Sequence, residues 1–341
     1  MQTQLEPTME EWRSLYTLAD QLRKISPWSF MGEEIVFGVK HPETGEVGYC
    51  GILGGLGEVF AFVVYEGEAG LSGIIRLLEE ENGVSPDMIF ETQHVLMASF
   101  ENREDLDKKD LNIIRQLGLK FRGKKCWPMF RHYKPGFVPW FIDSAQAKFL
   151  ALCLEQAIDV LPRYQKDPSL LSEATADHHF VRIRRKVSGK ETWTDNTLPA
   201  PPTRMERPPD VPVDDVSIAR LQRQGKTMSG TWEIGYLYAP MPIQETAGER
   251  PFFPRLMLVC ETETGIILTF HMERDDTTPT RFRDHLLEFF TVYNYLPSRM
   301  YANHPITATI IRPICRKLGI DFEYCRSLPT VEFAVSEMFS V

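Results

Sequence analysis

The sequence lacks the features that define several common classes of protein. Its 341 residues contain no apolar run close to the roughly 18–20 residues that span a bilayer. The stretch MQTQLEPTMEEW at the start has neither a basic region nor an apolar core, so we expect no secretory signal. The formal net charge of −9 argues against a general nucleic-acid-binding protein. These absences predict a cytoplasmic protein that does not use a membrane.

Cysteine is scarce and irregularly spaced. The six cysteines form no C-x-x-C pair and have no metal-finger spacing, which excludes the usual zinc and redox motifs. Cys50 and Cys260 lie in predicted strands, and Cys153 lies on the apolar side of a predicted helix. We interpret these residues as buried free thiols in a reducing compartment.

Motifs for nucleophilic catalysis and nucleotide binding are also absent. There is no G-x-S-x-G, and the surroundings of the cysteines match no protease signature. The glycine-rich stretch GYCGILGGLGE fits neither G-x-G-x-x-G nor G-x-x-x-x-G-K, and a β-rich run follows it where a phosphate loop needs a helix N-terminus. We therefore predict a turn in which Gly54, Gly55 and Gly57 supply positive φ angles. No cofactor is expected.

Proline marks the clearest boundary in the chain. Six prolines fall within residues 198–212, where they stiffen the chain and exclude helix and central strand. We predict an α+β N-terminal domain over 1–197, a linker over 198–212 and a second domain over 213–341. The alternative is a long proline-rich surface loop within one domain.

Hydrophobic periodicity predicts different element orders in the two parts. In the first, a helix over 9–25 with a capping box at Thr8 and Glu11 precedes three strands that form an antiparallel meander with flanking helices. Further on, residues 127–142 and 178–194 each predict a hairpin. The second part predicts the order β-β-β-α-β-α-β-α.

That second order resembles the ribonuclease H-like fold over residues 230–341. Members of the fold often hold two metal ions with carboxylates on the first strand, the first helix, the end of the fourth strand and the last helix. The resemblance implies as weak catalytic candidates Glu233, Asp284 or Glu288, and Glu332. The fourth strand ends in Asn303-His304, without a carboxylate, and a missing anionic ligand weakens a site for hard cations. We therefore expect this fold without its chemistry.

Longer phrases resemble a bacterial family of uncharacterised proteins. They are WRSLYTLADQL, HPETGEVGYCGILGGLGEVFAFVVYEGEAGL and LGLKFRGKKCWPMFRHYKPGFVPW, and the LPTVEF end resembles a second uncharacterised domain that accompanies the first. The resemblance covers most of the chain. It implies a bacterial cytoplasmic protein and supplies no catalytic residues.

Basic residues concentrate in KFRGKKCWPMFRHYK, residues 120–134, which contains no acid. Cations pair with phosphates and aromatic faces stack on bases, so this segment is a candidate nucleic-acid site. The alternatives are a hairpin with aromatic residues inward and cations in solvent, or a protein-partner surface. A second basic run, VRIRRK at 181–186, strengthens the nucleic-acid interpretation only if it lies beside the first. The candidate contacts are Arg122, Lys124, Lys125, Trp127, Arg131 and Lys134.

Two groups, Asp177-His178-His179 and His271-x-Glu273-x-Asp275, are candidate metal ligands because imidazole with carboxylate suits zinc or iron. His178 and His179 are adjacent, so on a strand they point to opposite faces. The set His271, Glu273 and Asp275 runs into a predicted turn. We predict no metal site.

These observations favour a non-catalytic protein that binds a macromolecule. A protein partner is the first expectation. Nucleic acid bound through 120–134 is the alternative, and a divalent-metal-dependent nuclease of ribonuclease H-like type is the third.

Overall fold

The structure, a computed structural model, consists of mixed helices and strands with two β-sheets. No described helix is both long enough and apolar enough to cross a membrane. The described residues are 5–80, 86–187, 190–202, 209–274 and 279–339.

The chain divides into two compact units. The N-terminal unit is Met1–Pro135 with Pro139–Arg204, and the C-terminal unit is Gly136–Val138 with Met205–Val341. The proline-rich segment 198–212 begins at the end of a strand, and its residues 203–208 lie outside the described residues. Its role as a linker stays a prediction.

The N-terminal unit contains five helices and eight strands in its described part. The helices are α1 (Met9–Ile25), α2 (Gly67–Leu78), α3 (Pro86–Thr92), α4 (Lys108–Gln116) and α5 (Ser144–Lys166). The strands are β1 (Ile35–Lys40), β2 (Val47–Leu53), β3 (Ala61–Glu66), β4 (Val95–Glu101), β5 (Trp127–Tyr133), β6 (Ser172–Glu173), β7 (His178–Val187) and β8 (Lys190–Pro199).

The first five strands follow chain order in one sheet, each antiparallel to the next. The sheet then continues from β1 to β7 and β8, and β7 pairs with β1 in parallel, with Gly38 opposite Val181. The predicted antiparallel meander does not contain this parallel pair. It forms because α5 carries the chain across the sheet before β7, as parallel neighbours require.

The prediction of a hairpin over 127–142 is mostly wrong, because the main partner of β5 is β4 and not the residues that follow β5. β5 pairs with β4 along its whole length, from Trp127 opposite Glu101 to Tyr133 opposite Val95. Only His132 and Trp140 form a bridge of the predicted kind. The hairpin over 178–194 does form as β7 and β8, and its turn residues 188–189 lie outside the described residues.

Local sequence signals explain the long helices that cover the sheet. Thr8 caps α1, since Thr8 N donates to Glu11 Oε2 at 2.8 Å and Glu11 N donates to Thr8 Oγ1 at 3.3 Å. Asp143 and Gln146 form the same reciprocal box at the start of α5. The two helices pack on one face of the sheet, where β3 contributes Phe62 to their shared core. Alternate residues of the same strand face α2 on the other side.

The glycine-rich loop joins β2 to β3, so the predicted turn is confirmed. Gly54 has φ +145° and Gly57 has φ +78°, whereas Gly55 does not have a positive φ. The backbone amides of Gly54 and Gly55 donate to Glu33 Oε1 at 3.1 and 3.3 Å. A carboxylate from the chain itself therefore occupies the place of an anion at this loop.

The C-terminal unit contains four helices and five strands in its described part. The helices are α6 (Asp215–Arg223), α7 (Pro279–Val292), α8 (Pro305–Leu318) and α9 (Pro329–Phe339). The strands are β9 (Thr231–Tyr238), β10 (Arg255–Glu261), β11 (Ile267–Glu273), β12 (Arg299–Ala302) and β13 (Asp321–Tyr324).

The five strands form one sheet in the order β11-β10-β9-β12-β13. The first three are antiparallel to one another, and β12 pairs in parallel with both β9 and β13. Trp232, fully buried on β9, packs with α7 and α8 on one face. On the other face, α9 covers Leu256 and Leu258 of β10.

Candidate functional site

The segment 120–134 divides into an exposed loop and a partly buried strand. Lys120, Arg122 and Lys124 are exposed on the loop that precedes β5. Within the described residues, none of these three cations has a hydrogen bond or ion pair. Lys125 differs, since its Nζ lies 3.3 Å from Glu101 Oε2 and its N donates to Asn102 Oδ1 at 3.1 Å.

Arg131 has a structural role that the sequence analysis did not predict. It is buried, and its Nη2 lies 2.6 Å from Asp110 Oδ2 and 2.7 Å from Asp107 Oδ2. Its guanidinium also lies 4.3 Å from the centre of the Phe141 ring. Burial lowers the pKa of Arg131, but the bonds to Asp110 and the charge of Asp107 outweigh burial and raise it. Because Asp110 of α4 and Asp107, which directly precedes that helix, both pair with this cation, Arg131 is not free to bind phosphate.

The remaining predicted contacts are also constrained. Trp127 is half-buried, with its ring 5.9 Å from Phe121 and the Arg103 guanidinium 5.8 Å from its centre. Lys134 is exposed at the end of β5 and interacts within the protein. Of the six predicted contacts, only Arg122 and Lys124 therefore remain both exposed and unpaired in the described structure.

The second basic run lies far from the first. β7 is separated from β5 by four strands, which at about 4.8 Å per step is roughly 24 Å. Arg182 of β7 is buried and donates to Gln156 Oε1 at 3.0 Å, and it is paired with Asp195 and Asp159. Arg184 is paired with Glu191. The two basic runs therefore form no common surface.

A cation-rich cleft lies between the second half of α1 and the loop before β5. Its volume is about 440 Å³, and the loop contributes Lys120, Phe121 and Arg122 to its lining. The helix contributes Arg23 and Lys24, which sequence reasoning assigned to no site. Pairing of a helix with a distant loop has no local sequence signal, so only the structure reveals it.

The three carboxylates of the nuclease hypothesis are not brought together. Glu233 is buried on β9, where its Oε2 accepts from Thr330 N at 2.8 Å and Val331 N at 3.0 Å and so caps α9. Glu332 is in the first turn of α9 and accepts from Leu328 N at 3.2 Å. Asp284 is exposed on α7, which packs on the opposite face of the sheet.

The described residues contain no group of three or more histidine, cysteine or carboxylate side chains arranged to hold a metal ion. His179 is buried with its ring 5.4 Å from that of Tyr49, whereas His178 is exposed. His271 Nε2 lies 2.9 Å from Glu273 Oε1, and Asp275, the third member of that set, lies outside the described residues.

An apolar strip lies on β11, at the edge of the C-terminal sheet. It consists of Phe270 and Met272 of β11 together with Ile266, which directly precedes the strand; the exposed fractions are 52%, 47% and 58%. In the described part of the chain, β10 is the only strand that pairs with β11. The hydrophobic pattern of this segment predicts a strand but not an edge strand, because the sequence of one strand does not determine which strands lie beside it.

Two family models match a chain with these two α+β units. Residues 12–182 match the model described as "Domain of unknown function (DUF7309)", and residues 217–339 match "Domain of unknown function (DUF6930)". The first match spans half of the chain, so the protein belongs to the DUF7309 family. No curated protein matches the sequence.

Among solved structures, the chain is similar to one titled "Crystal structure of catalytic core domain of BIV integrase in crystal form I". The sequence identity is 17% and the TM-score is 0.23. The match covers 32% of this chain and 63% of that chain, so this protein spans less than two thirds of the solved domain.

Proposed function

We propose that this is a non-catalytic binding protein whose C-terminal unit docks a partner protein along the edge strand β11. The observation that carries the proposal is the exposed apolar strip, Phe270 and Met272 of β11 with Ile266 just before it, at an edge where no second described strand pairs with β11. An edge strand has backbone N–H and C=O groups that can pair with a strand of another protein. Large apolar side chains on the same strand can then be buried against that partner.

The register places two members of the strip on one face. Phe270 is directly opposite Leu258, and Met272 is directly opposite Leu256. Directly opposite residues of an antiparallel pair share a face of the sheet. Both leucines are fully buried under α9, whereas Phe270 and Met272 lie beyond them on the next strand. The strip therefore extends the α9-side core outward without a cover from the described residues.

Proteins usually blunt an edge strand with charge, proline or a short length. β11 contains no proline and no lysine, and its one carboxylate, Glu273, is 15% exposed and paired with Arg281, so the exposed side chains Phe270 and Met272 are apolar. An added strand from a partner pairs with the free backbone edge and buries Phe270 and Met272. Aromatic and methionine side chains are enriched at the centres of such interfaces.

The proposal is tested by quantitative co-purification from the native cell. We expect at least one protein to co-purify with wild type and to be lost from the double variant Phe270→Lys with Met272→Lys. Phe333→Lys is the matched control, because Phe333 is 63% exposed on α9 and lies outside the strip. Retention of every co-purifying protein by the double variant, or equal loss in the control, contradicts the proposal.

The C-terminal sheet order supports a ribonuclease H-like topology without its chemistry. The elements from β9 to α9 follow the order β-β-β-α-β-α-β-α on which the resemblance depends, and the strands lie in one sheet in the order β11-β10-β9-β12-β13. The use of Glu233 as a helix cap argues against a metal role. Manganese-dependent cleavage of nucleic acid that disappears in Glu233→Ala would restore the nuclease hypothesis.

Nucleic-acid binding through 120–134 remains the second candidate, favoured by the unpaired cations Lys120, Arg122 and Lys124. It predicts salt-sensitive retardation of nucleic acid that is lost when Lys124 and Lys125 are both changed to Glu. Absence of retardation at low salt removes this candidate. Bacterial origin and cytoplasmic location stay predictions.

A further inference from the structure

We propose that the cleft between α1 and the loop before β5 binds a small phosphate-bearing ligand that also carries a ring, of about the size of one nucleotide. The cleft lies in the N-terminal unit and the proposal does not rest on the docking role of β11. Its volume of about 440 Å³ is within the usual range for small-molecule sites.

The charge of the lining is the first argument. Four cations line the cleft and only one carboxylate, Asp20, accompanies them. Asp20 Oδ1 lies 2.9 Å from Arg23 Nη2, and its Oδ2 lies 2.7 Å from Lys24 Nζ, so its charge is already shared. Lys120 and Arg122 have no counterion in the described structure. A net positive lining in a protein of charge −9 favours an anion.

A structural role accounts for only two of the four cations that line the cleft. Arg23 and Lys24 occupy the last turn of α1, where cations stabilise the carbonyl end of a helix. Lys120 and Arg122 lie on a loop and have no such role. They carry the positive charge that is available to a ligand.

The loop that presents these cations is held in place before any ligand arrives. Lys125 adopts a positive φ of 51°, and its backbone N and its side chain are fixed by Asn102 and Glu101. Gly123 supplies a second positive φ, 98°, in the same turn. A site formed in advance loses less conformational entropy on binding.

The aromatic wall indicates what accompanies the phosphate. Phe121 lines the cleft and is half-buried, with its ring centre 5.9 Å from that of Tyr16. A supported ring of this kind offers an apolar surface to a base or another flat group. Thr17 and Gln21 of α1 add hydrogen-bonding groups to the lining. Together they favour a phosphorylated ring compound over a bare anion.

Calorimetry with inorganic phosphate, adenosine monophosphate, adenosine and a short oligothymidylate tests the proposal. We expect phosphate to bind, adenosine monophosphate to bind more tightly and adenosine not to bind. Lys120→Glu with Arg122→Glu is expected to weaken monophosphate binding by about tenfold or more, as for the loss of charged hydrogen bonds. Arg13→Glu with Lys108→Glu makes the same charge change at exposed positions outside the cleft and is expected to leave affinity within about twofold.

A second readout uses the thiol of Cys126, which lines the cleft 3.8 Å from Arg23 Nη1. In a Cys325→Ser background, the monophosphate is expected to slow alkylation of Cys126. The other four cysteines are buried.

Four results would overturn the proposal. They are binding of adenosine as tight as that of its monophosphate, phosphate binding as tight as that of the monophosphate, equal loss of affinity in both double variants, and no binding of either phosphate compound. If the oligothymidylate binds and neither phosphate compound does, the proposal is overturned and the result supports the nucleic-acid candidate instead.

Discussion

The outer strands of the two sheets are protected in different ways. In the N-terminal unit, β8 is a run of largely polar residues that ends at Pro199, and His132 of β5 is bridged by Trp140. In the C-terminal unit, β13 carries Asp321 and Glu323. β11 differs from these three strands because it exposes two apolar side chains on one face, Phe270 and Met272, whereas the exposed aromatic residue of β13, Tyr324, donates its hydroxyl to Asn303 O at 2.9 Å.

This comparison identifies β11 as the outer strand that keeps apolar side chains exposed. Charge, proline and a bridging residue are common devices against unwanted strand pairing, and they are present at the other three outer strands. An edge that keeps apolar residues in solvent carries an aggregation risk, which a binding role would explain.

The β5 edge depends on a buried ion pair. Arg131→Leu leaves the carboxylate of Asp110, only 3% exposed, without its cationic partner, and among the described residues only the Asp107 N–H still donates to its Oδ2, at 3.1 Å. Removal of one member of a buried pair costs about 3–5 kcal/mol of unfolding free energy. Urea denaturation should show this loss in the N-terminal unit, whereas Arg122→Leu on the exposed loop should change stability by no more than about 0.5 kcal/mol. Equal effects of the two substitutions would show that the pair does not hold the edge.

The apolar face next to β11 depends on the cap of α9. Glu233→Leu leaves the amides of Thr330 and Val331 without their acceptor, which costs about 1–3 kcal/mol. Hydrogen exchange should quicken in α9, and Glu233→Gln should recover much of the loss because it keeps an acceptor. Stabilisation of wild type by manganese that requires Glu233 would instead indicate a metal ligand.

On the other face of β11, a histidine pair predicts a dependence of stability on pH. His285 of α7 stacks on His271 at 4.6 Å and its Nε2 lies 2.9 Å from Thr269 Oγ1. Burial, and then the charge of His271, lowers the pKa of His285, although Glu288 opposes this shift. The folded protein then binds fewer protons than the unfolded chain, so stability is full above a pH of about 6.5 and falls as the pH drops through the lowered pKa.

Melting temperatures measured on either side of this range test the pH prediction. We expect a fall on acidification that is smaller in His285→Asn. His179 in the N-terminal unit has a pKa lowered by burial and by His178, so some acid sensitivity should remain in that variant. An unchanged fall in His285→Asn would show that the histidine pair does not contribute.

The smallest effect on stability is expected at the apolar strip itself. Phe270→Lys with Met272→Lys should change the unfolding free energy by no more than about 1 kcal/mol, since both side chains are about half exposed. Chemical denaturation measures this directly. A larger loss would mean that the strip stabilises the fold and is not reserved for a partner.

Local signals in the sequence predicted much of the fold. The box at Thr8 and Glu11 set the start of α1, and the glycines near Gly54 formed the predicted turn. The buried thiols of Cys50, Cys153 and Cys260 are also confirmed. Each of these features depends on neighbours in the chain or on a short apolar pattern, which a single sequence contains.

The features that sequence reasoning missed depend on distant contacts. Arg131 looked like a solvent cation because Asp110 reaches it from another element. The capping role of Glu233, a weak catalytic candidate from the resemblance alone, was missed because the helix that it caps lies almost a hundred positions further along the chain. The parallel pair of β1 and β7 and the open edge of β11 follow from strand order, which tertiary packing decides.

The most direct test of the docking role is amide hydrogen exchange in residues 266–273, with and without the partner identified by co-purification. We expect partner binding to slow exchange in this segment by at least about tenfold, because new strand pairing protects backbone groups, and to leave exchange in β5 and β8 unchanged. Protection that appears elsewhere while residues 266–273 exchange at their free rate would contradict the docking role.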